Sequence, residues 1–266
     1  MNPIAHAVHA VQISGLTKTF NAGQSTEVRA LNNIDLVVER GRFVSLIGPS
    51  GCGKSTLLRL IADLTEPTAG TVLVNGKPAH QARLDQDYGM AFQQAGLFEW
   101  RTVSKNIELP LELRKWDKAK RRARALEMLD LVKLSEFADH HPFELSGGMQ
   151  QRVAIARSLA FNPSLLLMDE PFGALDEMTR EHMQDELIRI QKQTGCTVVF
   201  VTHSIPEAVY LSDTVVVMSP RPGKIAKLVD VPLGDRSYDT RELPQFFAKV
   251  TEVREALRNI EYGVLA

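Results

Sequence analysis

The residues best suited to chemistry form a glycine-rich stretch, GPSGCGKS, between a predicted strand and a predicted helix. Its glycines allow successive backbone N–H groups to turn towards phosphate oxygens, and the helix N-terminus adds partial positive charge. Lys54 can reach the β- and γ-phosphates of a nucleotide, and the Ser55 hydroxyl can bind Mg²⁺. The predicted phosphate-binding residues are Gly48, Pro49, Ser50, Gly51, Cys52, Gly53, Lys54, Ser55 and Thr56.

This stretch alone predicts only the binding of a nucleoside triphosphate. It does not distinguish a kinase, a GTPase, a helicase or a transport motor, and a glycine-rich turn with a chance lysine is the structural alternative. Cys52 lies inside the stretch, beside Lys54 and a helix N-terminus. These neighbours are expected to lower the pKa of the thiol. We therefore expect alkylation of Cys52 to abolish nucleotide hydrolysis and bound nucleotide to protect it, unless the position simply tolerates any small residue.

An acidic pair ends the apolar run LLLMDE. Carboxylates at the end of a hydrophobic strand require a cation or hydrogen-bond donors nearby, and Mg²⁺ on a triphosphate supplies the cation. Asp169 is therefore the candidate metal ligand, and Glu170 can polarise an attacking water. His203 ends the next apolar run, VVFVTH, so it can contact the γ-phosphate at the same sheet edge and hold Glu170. The structural alternatives are a helix-capping acid pair and a histidine without a catalytic role.

A second anion site is indicated at the start of another predicted helix, within LSGGMQQR. Ser146, Gly147 and Gly148 offer a hydroxyl, backbone amides and a helix N-terminus. They belong to a helical stretch that is separate from the sheet carrying the phosphate loop, so one nucleotide is not expected to reach both sites within a chain. In two chains arranged head to tail, the serine–glycine site of each chain would contact the γ-phosphate of the nucleotide bound to the phosphate loop of the other.

Together, GPSGCGKS, LSGGMQQR and LLLMDE resemble the motifs of the ABC-transporter ATPases, and the resemblance covers residues 11–230. It implies that Phe20 stacks on adenine, that Gln93 contacts Mg²⁺ and the attacking water, and that Asp176 lies at a dimer interface. Each residue has an alternative. Phe20 would be a core phenylalanine, the neighbouring Gln94 would take the role of Gln93, and Asp176 would be a helix cap.

The segments LFEWRTV, PFGALDEMTR and SPRPGKI further resemble the nitrate/sulfonate/taurine branch of bacterial importers, which also includes importers of thiamine-precursor pyrimidines. The resemblance implies a peripheral ATPase at the cytoplasmic face of the inner membrane that uses ATP and Mg²⁺. It would act as a homodimer on two permease subunits, supplied by a substrate-binding protein. A separate-subunit exporter or lipoprotein-release ATPase is the alternative, and a soluble ABC protein a lesser one.

The resemblance also implies that Gly96–Arg101 contacts a membrane subunit, with Phe98 and Trp100 as apolar anchors. Ordinary burial of the two aromatic rings is the alternative. Glu99 departs from the branch, which often has proline before the tryptophan.

The elements that position these residues follow an α/β pattern. The expected fold is a P-loop NTPase (RecA-like) core with a mostly parallel sheet, an N-terminal antiparallel β element and a helical insertion. We expect one ATPase domain over residues 11–235, with the helical subdomain over about residues 96–158 inserted in its core, and a C-terminal helical tail over 236–266.

Two amphipathic helices are predicted outside the sheet. The first spans residues 117–132, with Ala123, Leu126, Leu129 and Val132 on one face. The second lies in the tail and is expected to pack on the body through a longer apolar face, with binding to a partner protein as the alternative. Its members are Leu243, Phe246, Phe247, Val250, Val253, Leu257 and Ile260.

Composition limits the remaining possibilities. The chain has 266 residues, a formal net charge of −1 and two cysteines. Balanced charge gives no global attraction to nucleic acid, and the basic run Lys118–Arg124 is interpreted as a solvated helix face. No apolar run is long enough to span a bilayer, so action at a membrane requires docking on another protein.

Overall fold

The computed structural model of the protein describes residues 9–173 and 175–261. Strands and helices alternate along most of this length, as the sequence pattern predicts. The strands are β1 (His9–Phe20), β2 (Val28–Glu39), β3 (Phe43–Ile47), β4 (Ala69–Val74), β5 (Lys77–Pro78), β6 (Tyr88–Ala91), β7 (Leu165–Asp169), β8 (Thr197–Val201), β9 (Thr214–Met218) and β10 (Ile225–Asp230). The helices are α1 (Lys54–Ile61), α2 (Ala79–Leu84), α3 (Val103–Leu113), α4 (Lys118–Leu131), α5 (Gly147–Leu159), α6 (Glu177–Thr194), α7 (Ile205–Leu211) and α8 (Pro244–Glu261).

The larger sheet has the strand order β10-β9-β3-β8-β7-β6 in the described part of the chain. Neighbouring strands from β9 to β6 run parallel, and β10 joins the edge antiparallel to β9. Strands β3 and β8 are buried at every position, which agrees with their uninterrupted apolar runs. Because β3, β8 and β7 are neighbouring parallel strands, their carboxyl ends lie side by side, and the residues that follow them meet there.

A smaller antiparallel sheet of order β2-β1-β4-β5 covers one side of this core. Val11, Leu36 and Val72 from its strands share a buried cluster with Leu57 of α1 and Val199 of β8. The cluster fixes β1 and β2 beside the loop that precedes α1. The expected P-loop core with a mostly parallel sheet and an N-terminal antiparallel β element is therefore confirmed.

Helices replace strands between β6 and β7 in the described residues. Helices α3, α4 and α5 pack together through side chains such as Ile107, Leu129 and Ile155. This agrees with a helical insertion, whereas the exact domain boundaries at residues 96, 158 and 235 stay predictions.

The buried face of α4 differs from the predicted one. Ala123 and Leu126 are exposed, and the buried side chains are Ala125, Met128 and Leu129, followed by Val132. In a helix with about 3.6 residues per turn, residues spaced by three lie about 60° short of a full turn from each other. The predicted series 123, 126, 129 and 132 therefore drifts around the helix instead of staying on one face. The observed spacing of i, i+3, i+4 and i+7 keeps one face against α3 and α5.

The tail helix α8 begins at Pro244 and packs against α7, β9 and β10. Phe246, Val250, Val253 and Ile260 are buried, so the amphipathic pattern is confirmed there. The predicted members Leu243 and Phe247 are exposed by 42% and 57%, and Leu257 is partly buried. Among the described helices, none combines the length and the apolar character needed to cross a bilayer.

Candidate active site

The phosphate loop lies between the central strand β3 and helix α1. Gly53 is the N-cap of α1 and has a φ of 107°, a conformation that L side chains rarely adopt. A Cβ atom at Gly53 would lie 2.6 Å from Leu31 Cδ2, and one at Gly48 would lie 2.7 Å from the Met218 carbonyl oxygen. The flanking strands β2 and β9 therefore allow only glycine at these two positions, which leaves the backbone amides accessible.

Lys54 is buried at the base of this loop. Its Nζ donates to the carbonyl oxygens of Gly48 at 2.8 Å and Pro49 at 3.1 Å. These two contacts hold the ammonium group at the centre of the loop, where it can bind phosphate as a point charge. The placement agrees with the role predicted for Lys54.

Ser55 and Asp169 meet although 114 residues separate them in the sequence. The Ser55 hydroxyl donates to Asp169 Oδ1 at 2.8 Å, because α1 starts beside the end of β7. A hydroxyl and a carboxylate are the oxygen ligands that Mg²⁺ prefers, and a magnesium ion usually also retains waters and binds substrate phosphates. The donor pair beside the phosphate loop therefore fits a magnesium ion held jointly with a nucleotide.

Glu170 and His203 form the next layer of the site. Glu170 follows β7 directly and has a φ of 46°, while its N–H donates to the Val201 carbonyl oxygen at 3.0 Å. This left-handed conformation is strained for glutamate and is typical of functional positions. His203 Nδ1 lies 3.3 Å from Glu170 Oε2. The tertiary structure thus brings the predicted catalytic glutamate and histidine into contact.

Most of the predicted site residues line one cavity of about 480 Å³. Its lining comprises the phosphate loop and Thr56, together with Glu170 and His203 on one side and Phe20 on the other. Pro49 and Cys52 are the two loop residues that do not line it. Phe20 is 39% exposed, and Lys18 Nζ lies 4.8 Å from its ring centroid. An exposed aromatic ring at the mouth of the cavity is suited to stacking on a nucleotide base.

The Ser146–Gly148 segment and Asp176 do not line this cavity. Ser146 caps α5 by accepting the Met149 N–H, and Asp176 caps α6 by accepting the Thr179 N–H at 3.0 Å. The hydrogen bond from the Thr179 N–H holds the pKa of Asp176 below its usual range. A Cβ atom at Gly148 would lie 2.8 Å from Thr179 Cγ2, so the starts of α5 and α6 touch each other. Within one chain the two predicted anion sites are therefore separate.

Gln93 also lies outside the cavity, on the exposed loop after β6. Its amide nitrogen would lie 3.3 Å from a Cβ atom at Gly173, so the side chain sits beside the segment that follows Glu170. Gln151, a buried residue of α5, donates to the Phe92 carbonyl oxygen at 3.1 Å. The loop that carries Gln93 is thus attached both to the helical insertion and to the neighbourhood of Glu170.

The expected lowering of the Cys52 pKa is wrong. Its side chain is 1% exposed, and burial raises the pKa of the thiol even though Lys54 acts in the opposite direction. Desolvation of the thiolate outweighs the nearby ammonium group and helix N-terminus. Cys196 is equally buried and also has a raised pKa, so preferential alkylation of Cys52 does not follow.

Arg221 is a cavity residue that sequence reasoning missed. It lies between β9 and β10, and its Nε and Nη2 donate to the Gly51 carbonyl oxygen at 3.3 and 3.2 Å. The SPRPGKI turn around it was singled out only for its resemblance to the importer branch. Nothing in that pattern indicated that the turn folds back over the phosphate loop.

Solved structures identify the class of fold. The chain is similar to the dimeric, ADP- and phosphate-bound post-hydrolysis state of the ATP-binding cassette MJ0796, with a TM-score of 0.72 and 37% sequence identity. The match covers 83% of this chain and 98% of that one. Together with the cavity geometry, this defines an ATP-binding cassette that hydrolyses ATP.

The family follows from the sequence comparisons. The model of the ABC transporter family matches residues 31–173. The chain is 49% identical to an ABC transporter ATP-binding protein of Methanocaldococcus jannaschii, covering 94% of this chain and 90% of the relative. It is 45% identical to the nitrate import ATP-binding protein of a Synechocystis species (94% and 96% covered) and 46% identical to an aliphatic sulfonates import ATP-binding protein of Bacillus cereus (96% and 97%). The chain belongs to the ABC transporter ATP-binding proteins.

Proposed function

We propose that this protein hydrolyses ATP at the interface of a homodimer to energise import of a small solute through a separate membrane permease. The observation that carries the proposal is the composition of the cavity. It contains the phosphate loop, Glu170 and His203, but not the Ser146–Gly148 segment of the same chain. A second copy placed head to tail would complete the site, and the similar cassette MJ0796 is a dimer.

Within this site, each residue acts through the position described above. Lys54 and the loop amides bind the β- and γ-phosphates, and Phe20 stacks on adenine. Ser55 and Asp169, with Gln93, would hold Mg²⁺, which neutralises charge that develops on the phosphates. Glu170 accepts a hydrogen bond from the attacking water and orients it towards the γ-phosphorus. His203 contacts Glu170 through one ring nitrogen and donates to a γ-phosphate oxygen through the other.

The closed dimer adds donors from the other chain. Ser146 of the partner subunit, with the backbone amides of its Gly147 and Gly148, would contact the γ-phosphate opposite Lys54. Asp176 would lie at the same interface, next to the loop after Glu170. Much of the interface then consists of nucleotide, so we expect copies to associate weakly without ATP and firmly with it.

The permease contact is assigned to the 96–101 segment. Trp100 is 74% exposed, and its ring centroid lies 4.7 Å from that of Phe98. The buried Asn106 holds this loop, because its amide donates to the carbonyl oxygens of Phe98, Arg101 and Thr102 and accepts the Phe98 N–H. A loop held in this way, which exposes Trp100 beside the half-buried Phe98, suits an anchor for a partner helix.

The transported solute would be a small molecule similar to nitrate, a sulfonate or taurine, because relatives of the chain are import ATP-binding proteins for nitrate, taurine and aliphatic sulfonates. A pyrimidine-like solute is the second possibility from the branch resemblance. The solute would bind a substrate-binding protein and the permease rather than this chain. The ATPase would accordingly lie at the cytoplasmic face of the inner membrane as a peripheral subunit.

The first prediction tests the shared site with the Glu170→Gln variant. Slowed hydrolysis should trap the closed state, so sedimentation velocity should show a shift from monomer to dimer on addition of MgATP. The added substitution Ser146→Arg should abolish the shift while leaving ATP binding to the phosphate loop intact. A monomer with bound MgATP at every protein concentration would contradict the shared site.

A further inference from the structure

A buried glutamate lies behind the catalytic pair and has no role in the steps above. Glu207 is the third residue of α7 and is 6% exposed. The sequence Ser204-Ile-Pro-Glu207 has the S-x-x-E spacing of a capping box, in which the glutamate would turn back to the N–H of the serine. Only half of that motif forms, because Ser204 Oγ accepts the Glu207 N–H at 3.4 Å while the carboxylate points into the protein.

The Glu207 carboxylate is instead held by two neutral donors. One oxygen accepts the Thr202 hydroxyl, and the other accepts the Gln184 amide at 3.1 Å. Burial raises the pKa of Glu207, although both hydrogen bonds act in the opposite direction. A solvent-exposed cap would avoid this desolvation, so the inward orientation is not explained by capping of α7.

Thr202 connects this carboxylate to the catalytic histidine. Its N–H donates to the Leu46 carbonyl oxygen at 3.3 Å, and its hydroxyl oxygen accepts the Ser204 N–H at 3.0 Å. The backbone on both sides of His203 is therefore fixed. The His203 side chain itself is 68% exposed, so packing does not determine its position. The flanking residues, and through them Glu207, determine where the imidazole meets Glu170.

Gln184 extends the connection to the C-terminal tail. Its carbonyl oxygen accepts Arg241 Nη2 at 2.9 Å, while its amide nitrogen faces Glu207. The opposite amide orientation would place oxygen against carboxylate and nitrogen against guanidinium, so both neighbours select the same orientation. Arg241 is further held by Asp185 at 3.1 Å and by the ring of Tyr210, whose centroid lies 3.5 Å from the guanidinium carbon.

We propose that Arg241, Gln184 and Glu207 are positioning residues for His203, and that the tail thereby sets the rate of ATP hydrolysis. The inference rests on the function proposed above, in which His203 and Glu170 act in hydrolysis. It assigns to the tail a role in turnover in addition to its packing on β9 and β10. Because the chain of contacts reaches the histidine rather than the phosphate loop, it affects kcat and leaves ATP binding unchanged.

The experiment measures steady-state ATP hydrolysis of the full chain and of three variants. Arg241→Ala removes the hydrogen bond from the tail to Gln184. Gln184→Met removes the hydrogen bonds of Gln184 to both Arg241 and Glu207, with little change in side-chain volume. Both should lower kcat about tenfold, the size of effect expected from a small displacement of a catalytic group, with KM for ATP within about twofold of the original. The double variant should be no slower than the slower single variant, because each substitution interrupts the same connection.

Tyr210→Phe is the matched control. It removes the hydrogen bond from Tyr210 to Asp185 and loosens the tail, but it retains the aromatic ring under Arg241 and the link to Gln184. Thermal unfolding should show a similar loss of stability in Tyr210→Phe and Arg241→Ala, whereas kcat should fall only in Arg241→Ala.

Two results would overturn the inference. One is an unchanged kcat in Gln184→Met, and the other is a fall of kcat in Tyr210→Phe equal to that in Arg241→Ala. Glu170→Gln, measured alongside, separates this inference from the proposed function. Undiminished turnover in Glu170→Gln would contradict the proposed function itself, whatever the tail variants do.

Discussion

At the scale of single residues, the contact between Arg221 and the phosphate loop adds a cation to the nucleotide cavity. The guanidinium group donates to the Gly51 carbonyl oxygen and lines the same cavity as the buried Lys54. Lys54 approaches phosphate from the base of the loop, and Arg221 can approach a bound nucleotide from the rim. An arginine in this position can donate to the nucleotide without giving up its hydrogen bonds to Gly51, because its five N–H groups point in several directions.

Arg221→Ala should therefore weaken ATP binding. We expect KM for ATP to rise by about tenfold or more, as for loss of one hydrogen bond to a charged group, with kcat unchanged because Glu170 and His203 are untouched. Arg258→Ala, which removes an exposed arginine from the tail helix, is the matched control and should leave KM unchanged. Equal KM values for the two variants would contradict a nucleotide contact by Arg221.

At the scale of elements, an ion-pair cluster around the buried Glu186 attaches the helical insertion to α6. Glu186 of α6 is 4% exposed and accepts from Lys133, which follows α4, at 2.5 Å and from Arg189 at 2.8 Å. Arg189 also donates to the Leu131 carbonyl oxygen at the end of α4. Burial alone would raise the pKa of Glu186, but the hydrogen bonds from Lys133 and Arg189 lower it below its usual range.

Glu186→Gln should lower the free energy of unfolding at pH 7 by about 1 kcal/mol, because the buried carboxylate loses its charge-assisted hydrogen bonds and solvent screens the more exposed Lys133 and Arg189. The folded pKa is the lower one, so the contribution is complete above the unfolded value near 4.5 and disappears as pH falls through the folded pKa. Denaturant titrations should show the two proteins converging in acid. Glu255→Gln, at an exposed position of α8, should differ little from the original at either pH.

At the scale of the whole molecule, the separation of the two anion sites is the property with the largest consequence. The start of α5 packs on the start of α6, on a surface that does not reach the phosphate loop of its own chain. In the proposed site, a single copy would therefore lack donors on one side of the γ-phosphate. In the proposed homodimer, each chain would contribute a phosphate loop to one nucleotide and Ser146–Gly148 to the other.

This arrangement predicts complementation between inactive variants. Lys54→Ala and Ser146→Arg should each hydrolyse little ATP alone, whereas their mixture should regain a measurable fraction of turnover. One site of the mixed dimer combines the intact loop of one chain with the intact Ser146 of the other. Mixing Lys54→Ala with the chain carrying both substitutions should regain nothing, because no intact phosphate loop is present. Failure of the first mixture would contradict shared sites.

The sequence by itself determined the features that depend on local geometry. A glycine-rich loop between a strand and a helix specifies a phosphate cradle, since φ values such as 107° at Gly53 require glycine. Uninterrupted apolar runs specified the central strands, since both faces of a parallel sheet are covered. Strands β6 and β10 have no long apolar run, because they lie at the two edges of the larger sheet, where burial on both faces is not required.

Only the tertiary structure decided which distant side chains meet and in what dielectric environment. The contacts of Ser55 with Asp169 and of Arg221 with Gly51 depend on strand order, which the spacing of motifs does not encode. Cys52 shows the effect of environment, since its sequence neighbours favour the thiolate and burial reverses the sign. The connection from Arg241 to Thr202 has the same origin. Glu207 has the spacing of a capping-box glutamate, but its carboxylate points into the protein because the fold places the donors Gln184 and Thr202 beside it.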